Sequence, residues 1–293
     1  MDSEERSGDD MLDTDGEAFL TGPSELAAVR TDVVEFIRGT VDAANARGAV
    51  VAMSGGIDST LTAALAAEAL GGRHVLGLGL PCNRQDRGHV ADARTIAEGL
   101  GIEFCEIQLQ PLLDMFEDAV APAIDPRVTR TAVGNVIARL RMTCVYYAAN
   151  ARSRLVVGTA NRSELLLGYF TKYGDGGADL YPLGDLYKTE VRALAHHVGI
   201  PRRIVQREPT AGMWVGQTDA DDLGARYAAI DRVLHRIVAG EDPADVAEAV
   251  DIDAATVDRL ARRYRGTTHK RVVPPSPGVA DRDRDPGPVA GGE

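Results

Sequence analysis

Residues 49–59 read AVVAMSGGIDS, and no other stretch restricts the fold as strongly. The apolar run 49–53 is too short for a helix and reads as a buried strand. Ser54-Gly55-Gly56 breaks it, and the Ala/Leu-rich segment 59–70 (STLTAALAAEAL) follows with helical character. A buried strand that turns directly into a helix is the first half of a parallel crossover unit. The pattern then repeats, with strands expected at 74–80, 103–109 and 154–159 and helices at 86–100 and 131–152. Before it, a helix capped by Ser24 sets Leu26, Val29, Val33, Phe36, Ile37 and Val41 on one face. After residue 220 the pattern is helical, at 221–239, 243–249 and 253–265. The expectation is an α/β fold: a parallel sheet with helices on both faces, Rossmann-like, followed by a helical C-terminal part. In such sheets ligands bind beyond the carboxyl ends of the strands, here 54–59, 81–83 and 158–161.

Composition narrows the classes. The 293 residues carry a formal net charge of −12, which argues against nonspecific nucleic-acid binding. No apolar run approaches the roughly 20 residues that span a bilayer, and the acidic N-terminus is unlike a signal peptide. The three cysteines are far apart, which predicts neither a disulfide framework nor a structural zinc site and fits a reducing cytoplasm. Residues 1–22 and the Pro/Gly/Asp-rich 274–293 read as disordered tails around a single domain at 23–273. Of the 32 basic residues only three are lysines: Lys172, Lys188 and Lys270. Arginine richness with high acid content fits both a salt-rich cytoplasm and a GC-rich genome.

The loop 54–59 has the chemistry of a phosphate site. Paired glycines let a ligand approach the backbone, and the amides at a helix start favour an anion. Ser54 and Ser59 supply hydroxyl donors. Asp58 would repel phosphate unless a cation such as Mg²⁺ bridged the two. The GK[ST] ending of a Walker loop is missing. An N-capped helix after a glycine turn is the plainer alternative. SGGIDS resembles the PP-loop of the N-type ATP pyrophosphatases, which split ATP between the α and β phosphates and adenylate a carbonyl or carboxylate oxygen.

Further strings select within that superfamily: GNVIARLRM from Gly134, GTANRSE at 158–164, GYFTKYGDGGADLYPLGDLYKTEV at 168–191, PTAGMWVGQTD at 209–219 and HKR at 269–271. Together these resemble the NAD synthetase family across residues 24–275. No nitrilase-like glutaminase segment accompanies them, so the resemblance is to the short, ammonia-dependent form. It implies an adenine-nucleotide α-hydrolase-like fold and an ATP-dependent amidation of deamido-NAD⁺ through an adenylated nicotinate. A GMP synthetase-like adenylating enzyme and a non-catalytic nucleotide sensor are the alternatives.

By resemblance, Ser54, Gly55, Gly56, Asp58, Ser59, Thr159, Lys188 and Thr210 contact ATP, while Asp58 and Glu164 hold Mg²⁺. Arg139, Lys172, Asp179, His269 and Lys270 contact deamido-NAD⁺; Asp58, Lys188 and Asp175 take the catalytic roles. Glu164 could equally be an ordinary helix-start acid, and Arg139 competes with Arg141. His196 and His197 read as surface, and Cys82 as a small apolar lining of the adenosine pocket. Where the family pattern has Asp-Glu after Gln217-Thr218, this chain has Asp219-Ala220, so that glutamate's role is either structural or taken by Asp221 or Asp222. The family also implies a homodimer. Val133, Val136, Ile137, Leu140, Val145 and Tyr147 on the helix 131–152 could line its interface or face the core.

Overall fold

A computed structural model describes residues 19–82, 86–125, 127, 129–212, 214 and 216–275. Helix α1 (Pro23–Ala43) precedes strand β1 (Ala49–Ala52), helix α2 (Ile57–Leu70) and strand β2 (Val75–Gly79). Helix α3 (Asp86–Gly99) and strand β3 (Glu103–Glu106) come next. Two short helices, α4 (Gln110–Met115) and α5 (Ala121–Ile124), lead to the long helix α6 (Arg130–Arg152) and strand β4 (Leu155–Val157). All four strands are parallel, in the order β3-β2-β1-β4. The expected strand 103–109 ends as a regular strand at Glu106, but the ladder runs on. Ile107 N–H donates to the Gly79 carbonyl and Leu109 N–H to that of Pro81.

Alternation along β1 explains why both faces are covered. Ala49, Val51 and Met53 pack with α1, α2 and α3, while Val50 points to α6 with Leu76, Leu78 and Val156. At the edge, β3 carries Glu103 and Glu106, paired with Arg152 and Arg94, and charge of this kind discourages further strand addition. The apolar face of α6 is turned inward. Ile137 and Val145 are core residues, with Val133, Val136 and Leu140 packed against them, and Tyr147 is 76% exposed.

The cap of α1 differs from the expectation. Gly22 stands at the N-cap, Pro23 opens the helix, and Glu25 reaches back to the Gly22 amide at 3.0 Å. Proline suits a first helical position, where its missing N–H costs nothing, and this moves the start ahead of Ser24. Just before it, Phe19 packs edge-on against Tyr187, and Leu20 N–H donates to Glu190. The rest of the expected N-terminal tail, 1–18, and residues 276–293 lie outside the described residues, as does Asn83.

Beyond β4 the chain is helical: α7 (Arg162–Leu167), α8 (Lys188–Val198), α9 (Arg202–Val205), α10 (Asp219–Leu223), α11 (Tyr227–Ala239), α12 (Pro243–Val250), α13 (Ala254–Gly266) and α14 (Thr268–Arg271). Helices α11, α12 and α13 form a second core with Leu167 of α7 and with Tyr187, just ahead of α8. The helical part therefore sits directly on the two helices that follow the last strand.

Candidate functional site

A cavity of about 280 Å³ opens at the carboxyl ends of β1, β2 and β4, where a parallel sheet is expected to bind its ligand. Ser54, Gly56, Asp58 and Ser59 form one wall, Thr159 and Glu164 another, and Asp175, Lys188 and Thr210 close it. Residues more than 150 positions apart in the chain thus share one space.

The glycine loop is held from within and from behind. Ser59 Oγ donates to the Gly56 carbonyl and lies 3.1 Å from Ser54 Oγ. Gly55 has φ +81°, and a Cβ there would stand 2.1 Å from the His89 carbonyl oxygen. Only glycine meets both conditions. Arg207 holds the Gly55 carbonyl at 2.9 Å and pairs with Asp92, whose carboxyl that hydrogen bond keeps below its ordinary pKa. At the start of α2, Gly56 makes no side-chain cap, so the first-turn amides lack that usual partner.

Opposite the loop, Lys188 Nζ donates to Asp58 Oδ2 at 2.5 Å and lies 3.3 Å from Glu164 Oε1. Lys188 is 3% exposed. Burial opposes its charge, but Asp58 and Glu164 outweigh burial and raise its pKa above the ordinary lysine value. Glu164 is driven the other way, up to about 8, by burial and by the nearby carboxylates, against the pull of Lys188. Asp219 adds a third acid, raised chiefly by burial, with its carboxylate accepting from the Tyr169 and Tyr227 hydroxyls. Three carboxyl groups share one ammonium, and the raised pKa values of Glu164 and Asp219 express how poorly a single positive charge balances all three. A further cation there would favour the ionised forms.

Glu164 is the helix-start acid considered from sequence, and it also faces the cluster in the cavity. Its Oε2 accepts from the Asn161 amide in a capping box, while Oε1 faces Lys188. Asn161 also donates to Asp58 at 3.0 Å, tying the two acids together. Among the described residues no cluster of three or more His, Cys, Asp or Glu side chains could hold a metal. Two hard oxygen donors beside a phosphate loop nevertheless suit Mg²⁺, which takes one or two carboxylates and completes its shell with phosphate and water.

Asp175 borders the cavity; the residue is exposed, while its carboxyl is set among protein atoms. Burial raises its pKa, and the Thr171 amide bonded to it at 2.9 Å pulls the other way. The remaining expected residues gather outside the cavity, around the segment 168–175. Arg139 donates to the Lys172 carbonyl at 3.2 Å, and Lys172 Nζ to the His269 carbonyl at 2.5 Å. Lys270 Nζ donates to the carbonyls of Gly168 and Phe170. Asp179 accepts from the Val156 amide and the Tyr146 hydroxyl. Arg141, rather than Arg139, lines the cavity.

Cys82 is a correction. It is buried in the core beside Leu109, and Leu80 and Pro81 form the cavity wall there. At the departure after Thr218, Asp221 takes the Thr218 hydroxyl and Asp222 the Tyr169 hydroxyl, so Asp219 is the acid that reaches the cavity. Sequence reading missed Arg207, Tyr227 and Asp231, which reach Gly55, Lys188 and Ser163 from distant parts of the chain.

The profile of the NAD synthase family matches residues 29–274. An NH(3)-dependent NAD(+) synthetase of Methanococcoides burtonii is 45% identical over 85% of this chain and 94% of its own. One from Methanocaldococcus jannaschii is 39% identical over 89% of this chain and its own full length. Among solved structures, an NMN synthetase from Francisella tularensis shares 32% identity at a TM-score of 0.74, covering 87% of this chain and 98% of its own. An NH3-dependent NAD synthetase from Campylobacter jejuni shares 28% at a TM-score of 0.71, covering 86% and 98%.

Proposed function

The chain belongs to the NAD synthase family, and on that premise we propose that it amidates deamido-NAD⁺ with ammonia, consuming ATP. The observation that carries this reading is the joining of a glycine phosphate loop to the Asp58–Lys188–Glu164 cluster in one cavity. ATP lies with its phosphates against Ser54, Gly55, Gly56 and Ser59, and Thr159 and Thr210 contact the same nucleotide. Asp58 and Glu164 hold Mg²⁺, which when bound supplies charge neutralisation on the triphosphate.

The nicotinate carboxylate oxygen attacks the α-phosphorus, and the bond to the β-phosphate oxygen breaks. Lys188 offsets the charge that gathers on the departing pyrophosphate. Ammonia then attacks the acyl carbon, a proton leaves the nitrogen, and AMP departs. Asp175, a carboxylate with a raised pKa on the cavity wall, is suited to take that proton. Arg139, Lys172, Asp179, His269 and Lys270 receive deamido-NAD⁺. The loop Gly174–Gly177, which carries Asp175, packs against Phe170, Thr171 and Ala138.

The working unit we infer is a homodimer of single α/β domains spanning 23–273. Leu112 and Met115 on α4, Ile124 on α5 and Tyr147 on α6 are large apolar side chains 49–78% exposed, as an interface would present them. A cytoplasmic site fits three cysteines without a disulfide. Among the described residues no helix is long and apolar enough to cross a membrane, and the acidic charge fits small-molecule substrates better than nucleic acid.

Purified protein given ATP, Mg²⁺, deamido-NAD⁺ and ammonium is expected to yield NAD⁺, AMP and pyrophosphate. ADP as product, or no turnover, overturns the reading. Nicotinate mononucleotide and xanthosine monophosphate as competing acceptors separate it from an NMN synthetase and a GMP synthetase-like enzyme. Glutamine in place of ammonium is expected to be inert.

A further inference from the structure

Asp231 is a carboxylate with no exposed surface, on helix α11, and it touches none of the residues assigned to ATP, Mg²⁺ or deamido-NAD⁺ by side chain. Its oxygens take three donors. Oδ1 accepts from the Ser163 hydroxyl at 2.5 Å; Oδ2 accepts from the Thr189 amide at 2.8 Å and the Thr189 hydroxyl at 2.6 Å. Ser163 precedes Glu164 on α7, and Thr189 follows Lys188 on α8. The Ser163 oxygen in turn accepts from the Lys188 amide at 2.9 Å. One carboxylate therefore joins the first turns of both helices that carry the cluster.

The same helix supports Lys188 at its other end. Tyr227 lies four residues before Asp231, on the same face of α11. The Lys188 ammonium stands 5.2 Å from the centre of the Tyr227 ring, and the Tyr227 hydroxyl donates to Asp219. Backbone and ammonium of Lys188 are thus both set by α11, which belongs to the helical core and not to the sheet.

We propose that Asp231 is a positioning residue that fixes the spacing between Glu164 and Lys188, and so adapts the cavity to Mg²⁺-bound ATP. The proposal rests on the functional reading above. Neutral hydrogen-bonding groups could not replace it fully, because three donors need an acceptor with no proton of its own. Burial pushes Asp231 up to about 6, against the pull of Ser163 and Thr189, so the group is ionised at neutral pH as the donors require. A carboxylate at the start of α8 also suits the helix dipole. Its consequence is catalytic, since an ångström of misplacement costs a reaction roughly a hundredfold.

Asp231→Asn keeps the volume but offers one acceptor oxygen where the site needs two, and must release either Ser163 or Thr189. Ser163→Ala removes the link to α7 and the acceptor of the Lys188 amide but leaves both Thr189 donors on Asp231, and is the milder variant. We expect kcat to fall by about tenfold or more in Asp231→Asn and less in Ser163→Ala, consistent with an interaction expressed at the reacting centre. The Mg²⁺ concentration for half-maximal rate should rise several-fold in both, and KM for deamido-NAD⁺ should stay within about twofold. Folded variants with wild-type kcat and Mg²⁺ dependence overturn the proposal, as does a loss of melting temperature with no change in either. If Asp231→Asn does not fold, Ser163→Ala decides by the same readings. Should the wild-type protein amidate no acceptor, the functional reading fails by itself. Calorimetric binding of Mg²⁺-ATP to wild type and variants then tests the positioning role, with weakened binding expected and equal binding overturning it.

Discussion

Scarce lysine in an arginine-rich chain becomes intelligible at the level of single side chains. Lys188 is enclosed by two carboxylates and a tyrosine ring. Lys270 fits its ammonium between two backbone carbonyls, and Lys172 binds a third. Each setting suits a compact point charge with three donors. A guanidinium is planar, broader and held in a fork. Lys188→Arg is therefore expected to lower kcat by about a hundredfold or more, because the larger head displaces Asp58 and Glu164. Lys172→Arg and Lys270→Arg should act mainly on KM for deamido-NAD⁺. Steady-state kinetics of the three variants checks this, and normal values in all of them would reduce the lysine pattern to a compositional accident. Lysine was readable because its rarity marks it. Asp231 was not, because one acid among 44 Asp and Glu carries no local signal and its partners lie 42 and 68 residues away.

Elements whose determinants are local in sequence match expectation well. The β1–loop–α2 unit is set by an apolar run, two glycines and an alanine-rich segment, all within 22 residues. Gly55→Ala tests it. The substitution forces a side chain into a left-handed conformation and against the His89 carbonyl. It is expected to destabilise the fold by more than about 1 kcal/mol and to abolish Mg²⁺-ATP binding; an unchanged melting temperature and ATP affinity would contradict the argument. What holds this unit from outside was not readable, since Arg207 reaches Gly55 across 152 residues. The opposite end of the sheet shows how helix ends explain a charge cluster. Arg38, Arg47, His74, Arg152 and Arg154 surround a cleft where α1, α2 and α6 terminate. Three helix C-termini present partial negative charge, which cations offset. Arg38 bonds the Ala69 carbonyl at the end of α2 directly. The cluster is accounted for by the fold and needs no ligand.

Over the whole molecule, charge and apolar surface are distributed differently. Much of the negative charge falls on residues 1–22, with eight acids and one base, and the body is nearly balanced. A nearly neutral body with exposed apolar side chains favours self-association, because little repulsion opposes contact. Met115 on α4, Ile124 on α5 and Tyr147 on α6 are 69–78% exposed. The same helix carries Arg139, which bonds the Lys172 backbone, so a contact through this face would also brace the proposed deamido-NAD⁺ residues. Sequence alone left α6 open between core and interface. Packing places Ile137 and Val145 inward and leaves Tyr147 exposed. Met115→Asp with Ile124→Asp places two charges on exposed side chains and none in the core. Light scattering is expected to give a dimer for the wild type and the 31.2 kDa single chain for the variant. KM for deamido-NAD⁺ should rise in the variant while its melting curve stays cooperative. A monomeric wild type, or a variant that remains dimeric with unchanged kinetics, would remove this face as the interface.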